Sequence, residues 1–115
     1  MVRKDAIQQF ADAARQHGVQ TLEGDAKAAN RAYESIIVAV RELREAPDKG
    51  GSLLAGLLSD DDLSIVTWAA RFLLPQDEAR ASDALHKVAG SGVRLLALAA
   101  RMTLSEWHAG RLHIE

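Results

Sequence analysis

Residues that bind metal ions or carry out thiol chemistry are sparse in this sequence. It contains no cysteine, which excludes disulfides, thiol catalysis and thiolate metal sites. Its four histidines are His17, His86, His108 and His113. No two of them have the i, i+4 spacing that directs a pair of ligands from one face of a helix. We therefore predict no metal site.

Serine and carboxylate residues are plentiful, but their spacing matches no catalytic motif. There is no Gly-x-Ser-x-Gly elbow, phosphate-binding glycine loop or dinucleotide fingerprint, and Gly90-Ser91-Gly92 is too short to be one. The acidic run 60–62 lacks the glycine and the distal glutamate of a calcium loop, so it is better explained as the cap of a following helix. We predict no catalytic residue and no cofactor. A small hydrolase would need a polar pocket that this pattern does not provide.

Three arginines are the first candidates for partner binding. Arg71 and Arg101 occupy equivalent positions in an internal repeat, and Arg94 precedes Arg101 by seven residues, or two helical turns. This spacing predicts that the three guanidinium groups share one face, which would attract an acidic partner. The alternative is a solvated face with weak local ion pairs, such as Arg71 with Asp77 or Glu78.

The two tryptophans are expected to have different roles. Trp68 aligns with Leu98 on the apolar stripe of the repeat, which favours a place in the core. Trp107 lies near the C-terminal end, where no further repeat follows to cover it. For Trp107 two interpretations stay open, a plug of the core and an anchor for a partner.

A repeat with a period of thirty residues positions these candidates. Residues 63–74 align with residues 93–104, so that apolar falls on apolar and Ala-Ala-Arg on Ala-Ala-Arg. Upstream, the leucines of 53–58 correspond to apolar residues of 84–89, thirty-one positions later. Such self-similarity is typical of stacked helix pairs.

Apolar spacing and helix-capping residues indicate the other helices. Residues 3–22 have apolar side chains at spacings of three and four, which predicts one helix in which Gly18 either causes a break or permits close helix approach. Gly24 and Asp25 mark the turn into a second helix over 26–46, which ends before Pro47. Further helices are predicted over 52–58, 63–74, 76–89 and 93–109, and no strand is expected.

Length and composition favour one globular domain. The chain has 115 residues, of which 48% are hydrophobic and 26% charged, and no apolar run approaches the roughly 18 residues of a membrane span. A basic-then-apolar leader is not evident at the start, so we expect a cytoplasmic protein without a membrane partner. The formal net charge of −2 makes nucleic acid an unlikely general partner, because a positive surface supplies most of that affinity.

Two resemblances extend this interpretation. Residues 52–107 resemble HEAT-like repeats in their short leucine-rich helix, aspartate turn and second helix with a central Ala-Ala. They depart from that family where it has an arginine two residues before Ala-Ala, because this chain has Thr67 and Ala97 there. The whole chain resembles a small bacterial family known as domain of unknown function 2019, through Phe10-Ala11, residues 23–25, 68–70 and 103–110. That resemblance implies an all-helical repeat fold in a bacterial cytoplasm, and it assigns no catalytic residue.

These observations predict an all-α fold of six helices, in three antiparallel hairpins stacked as a short right-handed HEAT-like solenoid. The single domain would consist of a first hairpin over 1–46, a second over 51–74, a third over 75–109 and a tail over 110–115. The first hairpin is expected to be structural, since two repeats alone are too few to bury the shared apolar face.

The predicted function is non-enzymatic protein binding, with Arg71, Arg94, Arg101 and Trp107 as the partner-binding residues. A toxin-neutralising immunity protein is one instance suggested by the small bacterial helical-repeat context. The alternative is a nucleic-acid-associated HEAT-like protein of the base-repair type. The chain is expected to be a monomer or a homodimer, with the apolar stripe from Leu22 to Leu43 or the end near Trp107 as the dimer contact.

Overall fold

The computed structural model describes the backbone of residues 2–113 and the side chains of residues 5–113. This range contains six α-helices, one 3₁₀ turn at Leu57–Ser59 and no strand. The helices are α1 Val2–Leu22, α2 Ala26–Leu43, α3 Gly51–Gly56, α4 Leu63–Leu73, α5 Glu78–Ala89 and α6 Arg94–His108. The predicted all-α class is therefore confirmed.

Aspartates begin three of the helices. The carboxylates of Asp25 and Asp77 accept hydrogen bonds from the backbone N–H groups three residues later, at 3.0 and 3.2 Å. The carboxylate of Asp62 accepts from Ser64 N–H at 2.8 Å. These bonds satisfy amide groups that have no partner inside the first helical turn. The expectation that the acidic run caps a helix is confirmed for Asp62.

The bounds of helices α2 and α5 differ from the expectation. Helix α2 ends at Leu43 rather than near residue 46, because the N–H groups of Glu45 and Ala46 donate to carbonyls only three residues earlier, at Glu42 and Leu43. Helix α5 begins at Glu78 rather than Gln76. Pro75 lies in the turn before it, and that turn is closed by the N–H groups of Gln76 and Asp77, which both donate to the carbonyl of Leu73.

Helix α1 continues through Gly18 without a break. Its glycine faces the start of α4, where a Cβ atom would overlap the hydroxyl oxygen of Ser64 and lie 2.8 Å from the Cβ of that serine. Glycine at this position therefore allows α1 and α4 to approach closely. Of the two interpretations of Gly18, close helix approach is the one that the structure supports.

The core is continuous across the helices. Its largest fully buried side chains come from α1 to α5 and the residue after α4; they are Phe10, Ile36, Val40, Leu43, Leu54, Ile65, Leu73, Leu74, Leu85 and Val88. Helix α6 adds the smaller Ala97 and Ala100 together with Leu104. The stripe of α2 is buried within the chain from Ile36 to Leu43, whereas Leu22 and Tyr33 are exposed. A dimer through the Leu22 to Leu43 stripe stays a prediction.

Helix packing places α4 between several neighbours and α6 at an edge. Helices α1 and α2 pack together most extensively, α4 packs on α5, and α5 packs on α6. Helix α4 also contacts α1, α3 and α6. The first hairpin meets α4 chiefly through α1. Stacking as a right-handed solenoid, and the division into three hairpins and a tail, stay predictions.

Candidate functional site

An apolar cleft of about 210 Å³ opens between α1, α4 and α6. Its apolar walls include Leu22, Trp68, Leu95, Leu96 and Ala99. Its polar lining consists of His17, Thr21, Ser64, Thr67, Arg71 and Thr103. No aspartate or glutamate lines the cleft within the part of the chain that the structure describes. The cleft is therefore a mostly apolar space whose charged and titratable groups are basic.

A second, larger groove lies between α1 and α2 and has a volume of about 740 Å³. It is lined mainly by polar side chains, including Gln8, Gln9, Gln16 and Gln20. Binding sites for small molecules usually combine apolar walls with a few convergent polar groups. The apolar residues in the groove's lining are the small Ala13, Ala28 and Ala32, so the cleft beside Trp68 is the better candidate despite its smaller size.

Arg71 is the central charged group of the cleft. Its Nη2 donates to the backbone carbonyl of His113 at 3.0 Å, and the guanidinium carbon lies 6.0 Å from the centre of the Trp68 ring. Its Nε is buried and has no hydrogen-bond partner among the described residues. Burial lowers the pKa of Arg71, while the nearby Tyr33 acts in the opposite direction. Because an arginine stays protonated even so, the cleft contains a partly desolvated positive charge.

The ion pairs expected for Arg71 are not formed among the described residues. Asp77, one of the two acids considered, pairs instead with Arg80, whose Nε lies 2.9 Å from the carboxylate. Asp77 also caps α5, which directs its carboxylate toward the start of that helix. Arg71 is therefore neither a fully solvated arginine nor one neutralised by a neighbouring acid of the described chain.

Trp68 forms the centre of an aromatic cluster at the cleft. The centre of its ring lies 5.1 Å from the ring centre of His17, 5.7 Å from that of Tyr33 and 6.1 Å from that of Phe72. The side chain is half-buried and packs against the core, as its position on the apolar stripe predicts. Its exposed part lines the cleft, so that Trp68 joins the core to the candidate site.

His17 contributes a polar edge that is not strongly basic. Its ring meets Trp68 edge to face, and its Nδ1 lies 3.5 Å from the hydroxyl of Thr21. Desolvation by burial lowers the pKa of His17 from its usual 6.5. The neutral imidazole is therefore favoured near neutral pH, and Arg71 alone supplies the permanent charge of the cleft.

Of the three predicted arginines, Arg71 lines the cleft, and Arg94 and Arg101 do not. Arg101 is exposed, and its Nη1 donates to the carbonyl of Ala89 on α5 at 3.3 Å. It follows Ala99 of the cleft wall by two residues, or about 200° around the helix. Arg94, two helical turns earlier on the same flank of α6, is also exposed. A face shared by all three arginines stays a prediction.

Trp107 is half-buried and packs against the core, and Leu112 of the tail does the same. The core-plug interpretation of Trp107 is thus supported, and its role as a partner anchor stays a prediction. The tail residue Ile114, which we expected either to dock or to fray, lies outside the described residues.

Helix α6 has an exposed apolar face that was not predicted from the sequence. Leu95, Leu98 and Met102 are 48%, 48% and 58% exposed. The thirty-residue repeat makes them equivalent to Ile65, Trp68 and Phe72, which are buried or packed against the core. The repeat itself was the available signal, since a last helix has no following unit to cover its apolar stripe.

Three comparisons with known proteins found no match to this chain. No protein-family model matches the chain, and no curated protein or solved structure matches it. The resemblances to HEAT-like repeats and to domain of unknown function 2019 therefore stay predictions. Among residues 2–113 there is no group of three or more metal-binding side chains, and no helix of that range is long and apolar enough to cross a membrane.

Proposed function

We propose that this chain is a non-enzymatic protein-binding module of the cytoplasm, and that it binds its partner with the α6 face formed by Leu95, Leu98 and Met102. The single observation that carries this proposal is the exposure of these three side chains at positions whose repeat equivalents are covered. Contiguous apolar surface on a small protein is typical of an interaction site.

The equivalent face of α4 indicates what kind of surface would cover α6. On α4, the ring of Phe72 meets Phe10 of α1 edge to face at 6.0 Å, and Trp68 contacts His17 of α1 and Tyr33 of α2. Two packed helices therefore cover that face within the chain. By analogy, the partner would place a helical surface against α6.

The charges beside this face favour an acidic partner. Arg94 and Arg101 are exposed on the flank of α6, and Arg101 has no carboxylate partner among the described residues. Opposite charges at the rim of an interface accelerate association and fix orientation. Arg94, Arg101 and Trp107 thus keep their proposed role in partner binding, whereas Arg71 contacts a different region. A toxin-neutralising immunity protein is one instance of such a module.

The test compares two charge substitutions on α6 with one on α2. The variant Leu98→Glu/Met102→Glu should lose a partner that the unaltered protein captures from extract of its source cell. The control Val38→Glu, at a side chain that is 55% exposed on α2, should retain it. All three proteins should unfold at similar temperatures, because exposed substitutions usually change stability by about 0.5 kcal/mol or less.

Binding must then be measured with the purified partner. Equal affinity of the unaltered protein and the α6 variant would reject this face as the binding surface. Binding to a mixed-sequence oligonucleotide that weakens steeply between low and physiological salt would instead favour the nucleic-acid-associated alternative. Sedimentation at several concentrations would separate the monomer from a homodimer formed through the same face.

A further inference from the structure

We propose that the cleft between α1, α4 and α6 binds a small monocarboxylate with an apolar body, and that the guanidinium group of Arg71 binds the carboxylate. This site adjoins the α6 face of the proposed function and shares Leu95 with it, whereas Leu98 and Met102 do not line the cleft. It would make the chain a receptor for a free ligand as well as for a protein.

The charge balance of the cleft favours an anion. Arg71 is partly removed from water, yet no carboxylate of the described residues lies in the lining or pairs with it. A buried charge without a counter-charge is unfavourable, and an anion that accepts hydrogen bonds from it offsets that cost. The chain has sixteen acidic residues and a net charge of −2, so the basic character of this cleft is a local feature.

The guanidinium group of Arg71 keeps donors for a ligand. Nη2 uses one of its two N–H groups for the carbonyl of His113, and Nε is buried. Nη1 makes no hydrogen bond to the described residues. A carboxylate oxygen can accept a charge-assisted hydrogen bond there. With one permanent cation, the cleft suits a monoanion better than a phosphate dianion, which carries more charge and more acceptors.

The size and walls of the cleft define the rest of the ligand. A cavity of about 150 Å³ lined by apolar side chains holds benzene, so about 210 Å³ provides space for an aromatic ring or a short aliphatic chain with its carboxylate. Trp68, Leu96 and Ala99 supply apolar walls. The hydroxyl groups of Thr67 and Thr103 donate to backbone carbonyls of their own helices, at 2.7 and 2.9 Å. They are therefore poor donors for a sugar or another polar body.

Ligand binding in the cleft can be measured by the fluorescence of Trp68. In a Trp107→Phe background it is the only tryptophan, so its fluorescence reports on the cleft. We expect a saturable fluorescence change with phenylacetate and a much weaker one with phenylacetamide, its neutral isostere. Arg71→Gln should weaken phenylacetate binding about tenfold or more, the usual effect of losing a hydrogen bond to a charged group. The control Arg101→Gln should leave the affinity unchanged.

A second variant keeps the proposal testable if Arg71→Gln does not fold. Ala99→Phe fills the cleft from an exposed position without altering Arg71, and it should abolish the phenylacetate response. Three results would overturn the proposal: no saturable response in the Trp107→Phe protein, equal binding of phenylacetate and phenylacetamide, or an undiminished response after Ala99→Phe. None of these outcomes bears on partner binding by α6, which the Leu98→Glu/Met102→Glu variant tests separately.

Discussion

Arg71 places a positive charge beside Trp68 in a cleft that has no acidic side chain among the described residues. Its repeat equivalent Arg101 is exposed to solvent. A side chain's neighbours, and not its place in a sequence motif, decide what its charge costs. The two arginines, identical in their Ala-Ala-Arg context, should therefore respond differently to the same substitution.

We predict that Arg71→Glu destabilises the protein and that Arg101→Glu does not. A carboxylate at position 71 would be partly buried in an apolar cleft without a counter-charge, at a cost of about 1–3 kcal/mol. At position 101 the same change should alter the free energy of unfolding by about 0.5 kcal/mol or less. Urea denaturation of both variants measures these values. Equal losses of stability would show that Arg71 is not distinguished by its burial.

His17 is expected to make stability depend on pH. Burial lowers its pKa in the folded state below the usual value of 6.5, which the unfolded chain should retain. Above pH 6.5 the imidazole is neutral in both the folded and the unfolded state, so the free energy of unfolding is not reduced by protonation of His17. As the pH falls below 6.5, the unfolded state binds the proton first, and stability is lost down to the folded-state pKa.

The measurement is an NMR titration of the His17 imidazole, first in the native protein and then in concentrated urea. The native midpoint should lie below the midpoint in urea. In addition, His17→Gln should flatten the dependence of the unfolding free energy on pH just below 6.5. A native midpoint at or above the value in urea would contradict the role of burial at this residue.

At the scale of elements, the crossing of α1 and α4 depends on one glycine. We predict that Gly18→Ala destabilises the protein, although alanine is the better helix former, because the new Cβ would lie 2.8 Å from the Cβ of Ser64. Overpacking of this kind typically costs about 1–3 kcal/mol. The matched control is Gly56→Ala, where a Cβ meets no atom within 4 Å and the backbone is helical with φ −61°. That change should be neutral or stabilising.

Thermal denaturation of the Gly18→Ala and Gly56→Ala variants measures these changes in stability. Gly18→Ala should lower the midpoint, and Gly18→Ala/Ser64→Gly should recover part of the loss because the opposing Cβ is removed. A Gly18→Ala protein as stable as the unaltered one would mean that α1 and α4 separate without cost.

The helices and their caps could be predicted from sequence because the signals are local. Apolar spacing identifies a helix, and Asp25 or Asp62 bonds to amides only two or three residues away. The cleft could not be predicted in this way, since His17, Trp68 and Leu96 meet only after three helices have packed. A repeat also predicts equivalent positions in sequence but not equivalent neighbours: Arg71 lines the cleft, whereas Arg101 is exposed.

At the scale of the whole molecule, the first hairpin covers what would otherwise be a second exposed apolar face. Phe10 of α1 is fully buried and meets the ring of Phe72, while His17 and Tyr33 cover Trp68. The chain thus has one covered face on α4 and one open face on α6. Removing the first hairpin would leave both open at once.

We therefore predict that a fragment beginning at Gly51 does not fold alone. It would expose Trp68 and Phe72, which contact the first hairpin, in addition to the α6 face, and full burial of each large apolar side chain contributes about 1.5–3 kcal/mol. Losing two such contributions removes much of the about 5–15 kcal/mol by which a domain is usually stable. Circular dichroism during heating should show a gradual change without a cooperative transition, and addition of a fragment over 1–50 should restore one. A cooperative transition of the fragment 51–115 alone would show that the two repeats suffice, and that the first hairpin is not required for folding.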